Sequence, residues 1–234
     1  MTNQQKKHVY MVNAHPDDLN ASLALALIIK QLPCYQLHII DLTRGERGLI
    51  KQGVPMDVCA EMRIKEEHAV CAKLGVKPIF LSEIDGEAFA GKNSCMELLD
   101  LFKIAPPRAV FTHWMLDTHP DHVSCSAIAM KAVSMLEERP ELYFFRQSVQ
   151  SRKMPEEFYL PFDSSVMDQK CQLLSLYACQ WGDEIAARQR IDNESCGFRV
   201  QGKYQYAECF ASWQLAGEGT FFAELEQYRK QYNV

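Results

Sequence analysis

No stretch of 18 or more apolar residues occurs in this chain, so nothing in it reads as a membrane-spanning helix. The opening Met1-Thr2-Asn3-Gln4-Gln5-Lys6-Lys7 lacks the apolar core of a signal peptide and runs straight into strand-like residues, which predicts a cytoplasmic protein. A basic excess is missing as well. The net charge is −5 and the pI about 5.8, which removes nucleic acid and anionic membranes from the expected partners. There are nine cysteines, an odd number, and none forms a Cys-x-x-Cys pair, so neither a disulfide framework nor a thiolate-built structural zinc site is expected. Cys34, Cys59, Cys71 and Cys95 lie among apolar or helical neighbours, where a reduced thiol packs as a small hydrophobe. Finally, no strand-like run leads into Gly-x-Gly-x-x-Gly or Gly-x-x-x-x-Gly-Lys, which disfavours a nucleotide-binding Rossmann protein or a P-loop.

What is present is an alternation. With 47% hydrophobic and 24% charged residues, a chain of 234 can bury a full core, and residues 1–234 are expected to form one domain. Strand-length apolar runs alternate with stretches of helical period, the pattern of βαβ units. Strands are expected at 9–12, 37–42, 77–81 and 109–112, and helices at 22–31, 57–74 (ended by Gly75), 94–104 and 123–136. Past Arg139 the pattern weakens to strands at 142–149 and 157–162 and helices at 166–178 and 183–190. The implied architecture is an α/β, Rossmann-like, mostly parallel sheet with helices on both faces. Tail segments rich in Phe and Tyr point to a homo-oligomer.

Two of these strands end in look-alike motifs. His15-Pro16-Asp17-Asp18 follows the first, and His119-Pro120-Asp121-His122 follows the fourth. Open α/β folds gather ligands at the carboxyl ends of their strands, so imidazoles and carboxylates placed there can meet over one ion. His15 and Asp18 share a turn, and Pro120 suits the first position of a helix. His15, Asp18 and His122 make two histidines and a carboxylate with a position left for water, the arrangement of catalytic zinc. Asp17 is then a spare carboxylate able to take a proton from that water, and His119 a spare imidazole facing what forms opposite. Taken singly, Asp17 or Asp18 would serve as a helix cap, and His119 as a loop residue. The joint occurrence decides: three of the seven histidines fall in these two clusters, each beside Pro and Asp. His8, His38, His68 and His113 lack such company and read as structural, with His113 near enough to support a ligand. An iron oxygenase also uses two His and a carboxylate, but its His-x-Asp spacing on a β-barrel is not the pattern here.

Ala14-His15-Pro16-Asp17-Asp18 together with His119-Pro120-Asp121-His122 resembles the LmbE-like, or PIG-L, zinc-dependent N-deacetylases. Arg63 with Glu66 and Leu74-Gly75-Val76, the loop Thr43-Arg44-Gly45-Glu46, and Tyr206-Ala207-Glu208-Cys209-Phe210 extend the likeness over most of the chain. The resemblance implies a hydrolase that removes an N-acetyl or other N-acyl group from an N-acetylglucosamine-type sugar or conjugate. It implies Zn2+, or another divalent ion such as Fe2+, on His15, Asp18 and His122, with Asp17 as general base and His119 at the oxyanion or leaving amine. It also puts Arg63 beside the substrate or in an ion pair bracing the site, and makes Asp121 either the partner that orients a histidine or a helix-start carboxylate. An amidase acting on a non-sugar or thiol conjugate, and a non-catalytic sugar-binding relative, are the alternatives. Two departures bear on the substrate, a small N-acylated molecule: Leu19-Asn20 stands where the family usually has a Glu, and Tyr177-Ala178-Cys179-Gln180 where many members have His-x-Ser-Gln. Arg44, Arg47 and Lys51 would favour a nucleotide sugar if they reached the mouth; otherwise they are solvated loop charges.

Overall fold

Val9, Met11, Ile39 and Phe111 belong to one apolar cluster, whereas Tyr10, Val12, Ile40 and Val110 belong to another. Strands buried on both faces in this way read as continuous apolar runs, which is why they stood out in the sequence. A computed structural model describes residues 6–147, 151, 153–200, 204–213 and 220–234. In chain order its first half runs β1 (Lys7–Asn13), α1 (Leu23–Lys30), β2 (Tyr35–Asp41), α2 (Met56–Leu74), β3 (Pro78–Phe80), α3 (Lys92–Ile104) and β4 (Pro107–His113). The second half continues α4 (Pro120–Ser134), β5 (Glu141–Phe145), β6 (Phe158–Phe162), α5 (Ser164–Leu174), α6 (Gly182–Arg199), β7 (Tyr206–Ser212) and α7 (Thr220–Tyr232).

The sheet order is β3-β2-β1-β4-β5-β7-β6. Strands β3 to β5 in that order pair in parallel, while β7 runs antiparallel to both β5 and β6. The expected mostly parallel α/β sheet is therefore present. One cluster takes side chains from α1, α2, α5 and α7, the other from α3 and α4, so helices cover both faces. Helix α2 ends at Gly75, whose φ of 76° is the left-handed conformation glycine adopts without strain, and Val76 N–H closes onto Cys71 O at 3.0 Å.

The tail departs from the sequence expectation in four ways. The helix expected over 166–178 stops at Leu174 and is followed by a single 3-10 turn at Ala178–Gln180. The helix expected at 183–190 runs on to Arg199. Strand β7 and helix α7 were not foreseen; the strand expected at 142–149 holds to Phe145, and residues 148 and 149 lie outside the described residues. The aromatic tail that suggested self-association is largely interior: Phe221 is fully buried and packs on Phe111, and Phe222 stacks on Phe158. Among the described residues no helix is long and apolar enough to cross a membrane, and all nine cysteines are free.

Strand order reverses direction at β1, which has β2 on one side and β4 on the other. Such a switch point opens a crevice at the carboxyl ends of the strands. His15-Pro16-Asp17-Asp18 leaves β1 there and His119-Pro120-Asp121-His122 leaves β4 there.

Candidate active site

The turn after β1 is tied down along its length. Asn13 donates to Asp41 Oδ1 at 3.2 Å, Thr43 Oγ1 donates to Ala14 O at 3.0 Å, and Asp18 starts a buried 3-10 turn over Asp18–Ala21. Asp17 has φ 93°, which a side chain with a Cβ rarely adopts and which costs on the order of 1–3 kcal/mol. Three carbonyls in a row are held: Arg63 donates to Pro16 O, Asn20 Nδ2 to Asp17 O at 2.7 Å, and Gln147 Nε2 to Asp18 O at 2.7 Å. Arg63 is buried, and its guanidinium also pairs with Asp17 Oδ1 and approaches Gly45 O at 3.5 Å.

The second motif opens α4. Pro120 takes its first position, and His119 caps it, with Nδ1 accepting from Asp121 N–H at 3.2 Å. With Nδ1 so engaged, the neutral His119 ring carries its proton on Nε2. Asp18 is the meeting point of the two motifs. Its Oδ2 accepts from His15 N–H at 2.8 Å and lies 3.1 Å from His15 Nδ1, while its Oδ1 lies 3.4 Å from His122 Nε2. Donor atoms of His15, Asp18 and His122 all fall within 4.8 Å of one another. Nitrogen and oxygen ligands about 2.0–2.2 Å from a tetrahedral ion stand about 3.3–3.5 Å apart, so the Asp18–His122 separation fits a shared cation.

Two carboxylates that the sequence did not single out stand behind these histidines. Asp117 Oδ1 lies 3.2 Å from His122 Nδ1, and Asp85 Oδ1 lies 3.3 Å from His15 Nε2, next to Asp121 Oδ2 at 3.0 Å. Asp121 is thus more than a helix-start carboxylate, since it also accepts from Gly86 N–H at 2.6 Å. Metal-binding histidines commonly present their second ring nitrogen to a carboxylate, and His15 and His122 each have a carboxylate at the nitrogen turned away from Asp18. Asp85-Gly86 lies beyond the end of the third strand, and Asp117 two residues before His119; those positions were the available signal. His113 also joins the site. It stacks on His122 with centroids 4.0 Å apart, and its Nε2 accepts from Ala14 N–H at 3.1 Å. That acceptor role, with burial and then the charge on His122 holding its pKa near about 4, makes His113 a neutral support; Asp18 Oδ2 at 3.3 Å is a contact rather than an ion pair.

The charges of the group are strongly displaced. Burial and then Asp18's neighbouring charge push the Asp17 carboxyl up to about 7, with Arg63 pulling against both. Burial opposes charge on His122, yet Asp18 and Asp117 overcome it and raise the pKa to about 9. His15 is likewise raised well above its ordinary value, because hydrogen bonds to Asp121, Asp18 and Asp85 outweigh its burial. Burial also works against the Asp18 anion, but the charged His122 ring holds its carboxyl well below the usual range. A cavity of about 370 Å³ opens onto His15, Asp17, Asp18, His119 and His122, a size within the range of small-molecule sites. Arg47 and Gln180 line its mouth, whereas Arg44 and Lys51 are exposed and not part of it.

The PIG-L model, described as GlcNAc-PI de-N-acetylase, matches residues 10–133. The chain belongs to this family, which places it among the hydrolytic N-deacetylases. Similar solved structures include N,N'-diacetylchitobiose deacetylase from Pyrococcus horikoshii, with 20% identity over 88% of this chain and 84% of that one and a TM-score of 0.74. The conserved protein TT1542 of Thermus thermophilus is 25% identical over 89% and 94% of the two chains, with a TM-score of 0.71. GalB, the 4-carboxy-2-hydroxymuconate hydratase of Pseudomonas putida KT2440, is 22% identical over 88% and 95%, with a TM-score of 0.75.

Proposed function

We propose that the chain is a zinc-dependent hydrolase that removes an N-acetyl group from an N-acetylglucosamine-type sugar or sugar conjugate. The observation that carries it is the triad of His15, Asp18 and His122 at the switch point, with Asp17 beside it on the same cavity wall. Two imidazoles and one carboxylate, buried and backed by Asp121 and Asp117, form a donor set suited to Zn2+. A divalent ion held there acidifies a water and polarises the acyl carbonyl. Asp17 takes the proton from the attacking water, and its pKa of about 7 suits a base working near neutrality. Arg63, buried against Asp17, keeps part of that carboxyl ionised and fixes its direction; this favours a bracing role over direct contact with substrate. His119, with its proton on Nε2, donates to the developing oxyanion or returns a proton to the leaving amine. The diacetylchitobiose deacetylase supports a sugar as the acyl carrier. Arg47 pairs with Glu87 at the mouth, which leaves little basic charge for a nucleotide diphosphate.

An amine-release screen over N-acetylated sugars, with and without a zinc chelator, tests the proposal. Release from at least one N-acetylhexosamine, lost on chelation and restored by zinc, is expected. Inertness of the zinc-loaded protein towards the whole panel would overturn it and direct attention to water addition of the kind GalB performs.

Metal affinity is expected to depend steeply on pH. In the metal-free protein His122, raised to about 9, and His15, also raised well above its ordinary value, carry protons at pH 7 that an incoming ion must displace. Calorimetry in buffers of differing ionisation enthalpy should show release of about two protons per zinc at pH 7, falling as the pH passes 9. By the same linkage, these two imidazolium ions stabilise the metal-free fold below their ordinary pKa, and the His122 share is lost as pH rises through about 9. A proton count near zero at pH 7 would contradict the assignment.

A further inference from the structure

We propose that Lys170 is a remote positioning residue for the catalytic turn, acting through a relay of two amides, Gln189 and Asn20, that ends on the carbonyl of Asp17. The proposal rests on Asp17 being the base. Lys170 is fully buried, and Nζ donates to Glu208 Oε1 at 2.7 Å, Asn193 Oδ1 at 2.9 Å and Gln189 Oε1 at 3.0 Å. An ammonium has donors only, and these three bonds use all of them. The sense of every amide downstream follows. Gln189 receives on Oε1 and so donates from Nε2 to Asn20 Oδ1 at 2.8 Å; Asn20 in turn donates from Nδ2 to Asp17 O at 2.7 Å.

The far end of the network is anchored on the fold. Glu208, in the middle of β7, accepts from Ala24 N–H at 2.8 Å and Leu25 N–H at 2.9 Å in the first turn of α1, where a carboxylate is favoured. Asn193 donates to Ala207 O at 3.1 Å. A buried ion pair is on average no more stable than an apolar replacement of the same shape, so conformational specificity is the more economical account of this one. What it specifies is the peptide between Asp17 and Asp18, at the residue whose φ is 93°. That peptide sets the direction of both the base and the ligand carboxylate. Arg63 and Gln147 hold the carbonyls on either side; this one takes the Asn20 N–H at 3.0 Å and, as its one side-chain partner among the described residues, the Asn20 amide at the end of the relay.

Gln189→Met is the test, because it interrupts the relay and leaves the Lys170–Glu208 pair and the turn's own residues intact. Misplacement of a base by a fraction of an ångström predicts a fall in kcat of about tenfold to a hundredfold with KM within about twofold. The metal stoichiometry should stay at that of the wild type, while the visible absorption bands of the cobalt-substituted protein shift as Asp18 turns. Asn20→Asp, which sets an oxygen against Asp17 O, should be worse than Asn20→Ser. Wild-type kcat together with wild-type cobalt bands in Gln189→Met would overturn the relay. Because the cobalt bands need no substrate, they decide the relay even if no N-acetylated sugar turns over, which keeps its failure distinct from failure of the deacetylase assignment.

Discussion

Asp17→Asn is expected to lower kcat by about a thousandfold while the protein still binds its metal, since a positioned general base contributes roughly 10²–10⁴ to rate. Asparagine is the informative replacement because it tolerates positive φ better than most residues and keeps an oxygen near Arg63. Arg63 would lose its charged partner but keep Pro16 O and Gly45 O, so a stability loss of about 1–3 kcal/mol is expected rather than unfolding. Asp17→Ala should behave alike in turnover. Steady-state kinetics beside metal analysis reads both quantities; near-normal turnover with metal bound would refute the base assignment. The pH profile carries a second check. A base works ionised, so kcat/KM should climb as pH rises towards about 7, with a bound cation moving that limb lower. Arg63→Met removes the charge that lowers the Asp17 pKa, and the limb should then move to higher pH.

The parts that set the site were legible because they are parallel strands buried on both faces, each followed at once by a turn rich in chemistry. Val9–Val12 with His15 and Ala109–Thr112 with His119 needed no long-range knowledge. The antiparallel edge was different. Strand β7 places Glu208 in its middle, a residue that reads as exposed until Lys170 and the start of α1 are brought to it by folding. Helix α6 looked as if it ended early, yet it runs on to Arg199 through a glycine at 197, required because the backbone of Gln205 passes so close that a Cβ would lie 2.1 Å from its carbonyl oxygen. Asp85 and Asp117 escaped for the same reason as Glu208: single acidic residues in loops take their meaning only from the imidazoles they face.

Asp18→Ala should remove activity and metal together. Asp18 is the carboxylate between His15 and His122 and, ahead of Asp117, the first cause that raises the His122 pKa against its burial. Its loss takes away a ligand and its charge, so zinc affinity should fall by more than about a hundredfold, beyond the roughly 10–100-fold typical of losing a ligand's outer partner. In the metal-free variant the His122 imidazole should titrate nearer its ordinary value, visible in the pH dependence of its ring proton resonances. The turn loses the bond from His15 N–H to Asp18 Oδ2 but should survive, since Asn20, Gln147 and Arg63 still hold three of its carbonyls. Stoichiometric zinc at wild-type affinity in Asp18→Ala would remove the residue from the metal site. Set beside Asp17→Asn, the two neighbouring carboxylates separate by readout: one variant keeps the ion and loses the proton acceptor, the other loses the ion and leaves the acceptor with no activated water to act on.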